Sequence, residues 1–268
     1  MSRLLLLLLG IGVLPCAAGL VFRRPGERHV PNSVTGSTLL CTLAFNLTFF
    51  WQELWLVIPK AVTPGLHPIL YHNDHDWTGS APDVALLQGT GAVATLISGL
   101  AFLAVLAWTR RGGATWRLFF FWMAFEGLYQ SLSQFAIGSV LAGNDVGRAL
   151  VYLHAGRLAS ILVLGGAVLA MAAAGIVLSR HVRPPTTLAA LAAIPLIVPF
   201  RMPRDMIEAA LIPVFVNVVG LGWLLVGAAL TRPRDEGDAA LPGLIGPAAA
   251  LAVLFAVFQL VLRPGVMF

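Results

Sequence analysis

Two imidazoles and two carboxylates lie close together in one hydrophilic segment, Tyr71-His72-Asn73-Asp74-His75-Asp76-Trp77. Imidazole nitrogens and carboxylate oxygens are ligands of zinc and of other divalent transition ions. We therefore take His72, Asp74, His75 and Asp76 as candidate metal ligands and a divalent transition metal as the candidate cofactor. Two other roles suit the same segment: a lid over a pocket, or a solvated loop whose Trp77 anchors at the membrane interface.

Four ionisable side chains lie within long apolar stretches or at their ends: Glu53, Glu126, His154 and Arg157. A charge near the middle of a membrane helix costs about 2.5–3.5 kcal/mol on insertion scales, so each group needs a partner or a wet cavity. We take these four as candidate catalytic residues and expect Arg157 to pair with Glu126 or Glu53. A carboxylate there would serve as general acid or base, and Arg157 would hold an anionic head group. The alternative is an ion pair that only joins helices.

Helical spacing gathers further polar side chains on one face. Residues four, seven and eight positions after Glu126 are Gln130, Ser133 and Gln134, which places all four on one side of a helix. Other polar residues in the same half of the bilayer are Asn46, Gln52, Gln88 and Thr90. The pattern predicts a polar pocket in the outer half of the membrane, beneath the hydrophilic segment.

The elements that must hold these groups are membrane helices, because the composition excludes an ordinary soluble domain. Hydrophobic residues make up 58% of the chain and charged residues 11%, against roughly 45–50% and about 25% in soluble proteins. The sequence therefore predicts an all-α fold, a polytopic bundle of transmembrane helices. We expect spans near 3–22, 34–59, 84–108, 116–141, 150–178, 208–230 and 242–262.

The number of spans depends on segment 187–200, whose short apolar run contains Pro195 and Pro199. It predicts either a thin span or a broken, re-entrant helix, and hence eight spans or seven. We expect one integral membrane domain over 1–268, with the N-terminal helix retained because Arg23 and Arg24 follow it as stop-transfer charges would. The hydrophilic segment 60–83 is expected to be an irregular loop because of its prolines and glycine.

Basic residues set the expected orientation, because loops on the cytoplasmic side are rich in arginine. Arginines such as Arg110, Arg111 and Arg232 follow odd-numbered spans. This places loops 60–83 and 142–149 on the outer side of the plasma membrane, the inner membrane of a prokaryote-like cell. The turn Gly143-Asn144-Asp145 is expected to cap the helix that follows.

These features are compatible with three classes of function. The leading hypothesis is a membrane-embedded enzyme that acts on a lipid-soluble or amphipathic small molecule in the polar pocket. The alternatives are a transporter or channel and a structural or assembly subunit that contacts other membrane subunits. The expected partners are the lipid bilayer and a lipid-like molecule. Nucleic acid is not expected, because the net charge of +5 comes almost entirely from loop arginines.

Overall fold

The computed structural model describes residues 3–22, 31–109, 113–181, 186–231 and 243–268. The helices are α1 (Arg3–Leu8), α2 (Leu14–Val21), α3 (Pro31–Ala61), α4 (Val84–Leu87), α5 (Thr90–Trp108), α6 (Ala114–Gly138), α7 (Asp145–Tyr152), α8 (Arg157–Ser179), α9 (Thr186–Ile197), α10 (Met206–Leu230) and α11 (Ile245–Val257). Short π-helical segments, Leu9–Val13 and Phe258–Leu262, continue α1 and α11, and a 3₁₀ turn, Val198–Arg201, continues α9. The loop arginines used for orientation, Arg23, Arg24, Arg110, Arg111 and Arg232, lie outside the described residues.

Among the described residues, five helices are long and apolar enough to cross a membrane: Val34–Ala61, Val84–Trp108, Arg157–Ser179, Glu208–Leu230 and Ile245–Leu262. Two shorter apolar helices are Leu6–Val21 and Thr187–Arg201. Helix α6 has 25 residues but carries several polar groups. The chain is thus a membrane helix bundle, and most helices lie where the apolar stretches predict them. The exception is the span expected at 150–178, which is interrupted after Tyr152 and resumes as α8 at Arg157. The expected count of seven or eight spans is not confirmed by length and composition.

The expectation of an all-α fold with an irregular loop is wrong for segment 60–83. Strands β1 (Leu66–Leu70) and β2 (His75–Gly79) form an antiparallel hairpin, and β3 (Val266–Met267) pairs with the other edge of β1. In β1 the apolar Leu66 and Leu70 are buried while His67 is exposed, which is the alternation of a strand with one covered face. We call the end of the bundle that carries this sheet the sheet end.

Helices α3, α6 and α10 form the centre of the bundle. Helix α3 packs against α5, α6, α9 and α11, and α10 packs against α2, α8 and α9. Aromatic side chains of α6 fill the interior, with Phe121, Trp122, Phe125 and Tyr129 all buried. Since lipid tails compete equally for apolar surface, such helices associate through close packing.

Segment 187–200 forms helix α9, which includes Pro195, and Pro199 coincides with the change to a 3₁₀ turn. The helix and turn continue to Arg201, whose backbone carbonyl accepts a hydrogen bond from Asn73 at the sheet end, at 2.6 Å. The cap expected at 143–145 is confirmed. Asn144 Oδ1 accepts from the backbone N–H groups of Val146 at 3.0 Å and Gly147 at 3.4 Å.

Glycine lets α5 and α6 approach each other closely, which gives a test of the packing. A Cβ on Gly99 would lie 2.7 Å from the Leu128 backbone nitrogen, whereas a Cβ on Gly166 of α8 would have nothing within 4 Å. Gly99→Leu should therefore destabilise the protein by about 1–3 kcal/mol or more through overpacking. Gly166→Leu, with the same change in side chain, should leave the melting temperature in detergent nearly unchanged. Equal melting temperatures for the two variants would contradict this packing.

Candidate functional site

A histidine of the hairpin reaches a carboxylate of α3. His75 Nδ1 lies 2.8 Å from Glu53 Oε2. His75 begins β2, and Glu53 lies about two turns before the end of α3, where only 4% of it is exposed. The hairpin thus places an imidazole over the end of α3.

Three neighbours fix the orientation of the His75 ring. Its Nε2 lies 3.2 Å from Oε1 of Gln88, which is buried at the start of the α4–α5 segment. The ring stacks on Trp77, with 5.9 Å between centroids and 15° between planes. The Lys60 ammonium lies 5.0 Å from the centroid of the Trp77 ring. Lys60 Nζ also donates a hydrogen bond to the Leu56 carbonyl at 2.6 Å. Both ring nitrogens of His75 therefore face side-chain oxygens.

A second carboxylate lies beside this pair. Asp74 Oδ1 accepts a hydrogen bond from the His75 backbone N–H at 2.9 Å and lies 2.8 Å from Arg204 Nη2. Arg204 also pairs with Glu208 on α10. One ligand atom from each of Glu53, Asp74 and His75 lies within 4.8 Å of the others. The structure thus gathers a nitrogen and two oxygens from α3, the hairpin turn and β2.

These groups border a cavity of about 610 Å³. Its rim is polar and partly exposed, and it is formed by Asp74, Asn144, Asp145, Arg148, Arg204 and Glu208. The cavity is also lined by apolar side chains, among them Leu8, Phe49, Leu211, Ile212, Phe215 and Val216, which we call the apolar wall, and by the polar side chains Gln52, Glu53, Gln88, Gln130, Ser133 and Gln134, which we call the polar wall. The two sets adjoin on α3, where Phe49 lies about one turn from Gln52 and Glu53. The lining is therefore chemically mixed, and its exposed polar residues lie at the sheet end.

Three buried polar atoms of the cavity wall lack a hydrogen-bond partner in the described part of the chain. They are Gln88 Nε2, Gln130 Oε1 and Ser133 Oγ, and each residue is at most 3% exposed. Buried polar groups are nearly always paired, because an unpaired one costs about 1–3 kcal/mol. One donor, one acceptor and one hydroxyl of residues that line the cavity are thus unpaired in the described structure.

Glu126 lies next to the cavity but does not line it. It is fully buried, and its two oxygens accept from the Gln130 amide at 3.2 Å and the Cys41 thiol at 3.6 Å. Cys41 also lies 3.8 Å from Asn217 Oδ1. The polar face predicted on α6 therefore divides: Gln130 and the residues after it face the cavity, and Glu126 lies one turn deeper.

The structure does not bring His154 and Arg157 to this site. Both are exposed at the corner between α7 and α8, where His154 has a φ of 51°, and neither lines the cavity. The expected pairing of Arg157 with Glu126 or Glu53 does not form; Glu53 pairs with His75 instead. Arg157 is the first residue of α8 and is exposed at the surface of the bundle, so its charge needs no buried partner.

The four loop residues predicted as metal ligands also separate. Asp74 and His75 join Glu53, whereas Asp76 is exposed and accepts only from the Trp77 backbone N–H, at 2.8 Å. His72 is buried on the other side, with Nε2 placed 3.0 Å from the Met202 carbonyl. Burial lowers the pKa of His72 below its ordinary value, so the ring is neutral and donates from Nε2.

Two further charged residues lie at or near the cavity: Asp145, which the sequence allowed to face the pocket as well as to form the turn, and Arg201, which was expected in a loop. Burial, and then the charge of Glu53, raises the pKa of Asp145. Arg201 is 1% exposed, its guanidinium lies 4.2 Å from the ring centroid of Phe49, and none of its side-chain nitrogens has a hydrogen-bond partner among the described residues. Phe49 lines the cavity, so Arg201 lies directly behind the cavity wall. Its position after Pro199 gave no sequence signal of burial.

Comparison of the chain with protein-family models, with curated proteins and with solved structures finds no match. The function is therefore inferred from the chemistry of the cavity.

The raised pKa of Asp145 predicts a pH-dependent effect on stability. A carboxyl group whose pKa is higher in the folded state opposes folding once it ionises, so its cost appears as pH rises through the folded pKa. Asp145→Asn should raise the melting temperature at neutral pH by a few degrees, and the gain should vanish below the ordinary pKa of aspartate. Thermal unfolding in detergent between pH 4 and 8 measures this. The exposed Asp76→Asn is the matched control, and an equal gain in both variants would contradict the assignment.

Proposed function

We propose that this protein binds an amphipathic small molecule in the cavity at the sheet end and converts it at the Glu53–His75 pair. The observation that carries this proposal is the mixed lining of the cavity, which combines apolar side chains with polar residues that keep unpaired buried atoms. A hydrocarbon ligand would leave those polar atoms unpaired. A fully polar ligand would gain nothing from Phe49, Phe215 and their neighbours.

The polar wall indicates what the ligand presents. Gln130 Oε1 needs a hydrogen-bond donor, Gln88 Nε2 needs an acceptor, and the Ser133 hydroxyl accepts either. A head group with hydroxyl, amide or acid functions supplies both kinds of group. The apolar wall, formed by α3 and α10 with Leu8 of the N-terminal helix, would take the hydrocarbon part. Since Leu8 forms part of this wall, the proposal includes retention of the N-terminal helix.

The membrane arrangement that we propose has eight crossings, one for each of the five long helices, for α6, and for the two shorter apolar helices. Support comes from the sheet, in which β3 at the end of the last crossing pairs with β1 at the end of α3. Together with the arginine distribution, this pairing supports our proposal that the sheet end lies on the outer face of a prokaryote-like plasma membrane. The ligand would then enter from the outer leaflet.

The Glu53–His75 pair is the group best suited to acid–base chemistry in this cavity. An imidazole held at one nitrogen by a carboxylate is the usual arrangement of a general base, because the carboxylate fixes the tautomer and stabilises the charged ring. The other nitrogen, Nε2, would exchange a proton with the ligand, which would replace the Gln88 oxygen that lies 3.2 Å from it. Glu126 would act indirectly, through its hydrogen bond with Gln130. His154 and Arg157 have no part in this mechanism.

Transport is the second candidate, favoured by the polar groups that continue below the cavity. Gln130 bonds to Glu126, and Cys41 connects Glu126 with Asn217. Beyond Glu126 along α6, however, the large buried side chains are mostly aromatic, and the buried polar groups of the adjacent α3 are the hydroxyls of Ser37, Thr38 and Thr42. The enzyme proposal is preferred because no buried ionisable side chain continues the path there among the described residues.

Filling the cavity tests the binding proposal. Ile137 lines the cavity from α6, whereas Leu162 on α8 is 65% exposed. Ile137→Trp should lower the amount of amphiphile that co-purifies in mild detergent by about tenfold, a loss of roughly 1.4 kcal/mol in binding. Leu162→Trp should retain the wild-type amount. Solvent extraction and mass spectrometry measure the bound molecules, and equal amounts in two folded variants would refute the cavity as their site.

The conversion has its own test once the bound molecule is known. Glu53→Gln and His75→Gln should each lower turnover by about 10²- to 10⁴-fold, the usual contribution of general acid–base catalysis, while the molecule still binds. Asp76→Asn, a neighbouring change outside the pair, should keep wild-type turnover. Full turnover in the Glu53 and His75 variants would remove the enzymatic role. Flux of the unchanged molecule across proteoliposomes would then establish transport.

A further inference from the structure

We propose that Glu53, Asp74 and His75 form a binding site for one divalent transition metal ion at the mouth of the cavity. Their donor atoms come from α3 and from two consecutive residues of the hairpin, and they lie within 4.8 Å of one another. Ligand atoms held about 2.0–2.2 Å from one tetrahedrally coordinated ion lie roughly 3.3–3.6 Å apart. Side-chain rotations that move the donor atoms by about an ångström would close the site.

The orientation of His75 suits a metal ligand. A ligating imidazole usually donates its other ring N–H to a nearby oxygen, which fixes the tautomer and leaves the ligating nitrogen with a free lone pair. Here Gln88 Oε1 lies 3.2 Å from Nε2. With the proton on Nε2, the Nδ1 lone pair faces a Glu53 carboxylate oxygen at 2.8 Å. In that tautomer two electron-rich atoms face each other, and a cation bound to both of them would remove their repulsion.

Asp74 has an oxygen available for the ion. Its two contacts in the described structure, with the His75 backbone N–H and with Arg204, both fall on Oδ1. Oδ2 is therefore left for coordination. Arg204 and the backbone amide hold the carboxylate in place, the role that outer partners play around metal ligands.

The donor set indicates the class of ion. One imidazole nitrogen and two carboxylate oxygens favour Zn²⁺ or Mn²⁺ over the soft ions that select thiolates and over Ca²⁺, which prefers an all-oxygen shell. Three protein ligands leave positions open toward the cavity, as in catalytic sites. An ion there would act as a Lewis acid on an oxygen of a bound head group.

A proton in place of the ion is the competing arrangement. A protonated His75, or a neutral one beside a Gln88 amide turned the other way, would also satisfy the Glu53 contact. Neither arrangement uses Asp74 beyond its contacts with Arg204 and the His75 backbone N–H, whereas a metal ion uses all three side chains. Metal binding does not require the amphiphile. A bound ion would take the Nδ1 lone pair and the Glu53 oxygen and so replace the acid–base pair as the catalytic group, while binding of the amphiphile and binding of the metal can fail separately.

The test uses the whole protein, stripped with a chelator in detergent and then titrated with Zn²⁺ alone and with Mn²⁺ alone. Wild type should bind one equivalent by calorimetry and retain it through gel filtration, as measured by elemental mass spectrometry. His75→Ala and Asp74→Asn should each weaken binding by about 100-fold or more, since loss of even an outer partner costs 10- to 100-fold. The matched controls His72→Ala and Asp76→Asn should bind within about twofold of wild type.

X-ray absorption of the metal-loaded wild type is a readout that needs no variant, and it should show a shell of nitrogen and oxygen without sulfur. Failure of the wild type to retain either ion, or equal losses in the His72 and His75 variants, would overturn the proposal. The Ile137→Trp variant separates the two proposals: it should keep the metal and lose the amphiphile.

Discussion

The contact between His75 Nδ1 and Glu53 Oε2 joins a polar hairpin to a helix of an apolar bundle, and the cavity depends on it. Without His75, the Glu53 carboxylate would be a buried charge without a partner, which is the most costly group a membrane helix can carry. The hairpin closes over the end of α3 because this carboxylate draws its imidazole inward. Trp77 stacks on the His75 ring, and Lys60 lies over Trp77. These side chains shape the mouth of the cavity.

The other end of the same hairpin sheet is held by a residue pair far apart in sequence. Ile69 of β1 pairs with Met267 of β3, and the Phe268 backbone N–H donates to the Pro68 carbonyl at 3.0 Å. These bonds attach the end of the last helix to the end of α3. Pro68 has no backbone N–H, so it can form a backbone hydrogen bond with a neighbouring strand only through its carbonyl.

Hydropathy and helical spacing predicted the helices and the polar face of α6, because both depend on local patterns. The sheet was missed because prolines suggested a loop and because β3 is separated from β1 by nearly the whole chain. Of the four residues predicted as metal ligands, Asp76 does not approach His75 for a geometric reason: successive residues of a strand point to opposite sides. His75 and Asp76 therefore cannot converge, and the third proposed ligand, Glu53, comes from another element that no local pattern connects to the hairpin.

Charge balance connects the two proposals. Lys60 interacts electrostatically with Asp145 and Glu53, and Arg201 interacts with Glu53, Glu208 and Asp74. The charged groups in and around the cavity are four carboxylates, Glu53, Asp74, Asp145 and Glu208, and four cations, Lys60, Arg148, Arg201 and Arg204. With His75 neutral the set is balanced, so a divalent ion adds positive charge in a site of low dielectric. An anionic group on the ligand would offset that charge, and metal and ligand should each therefore strengthen the binding of the other.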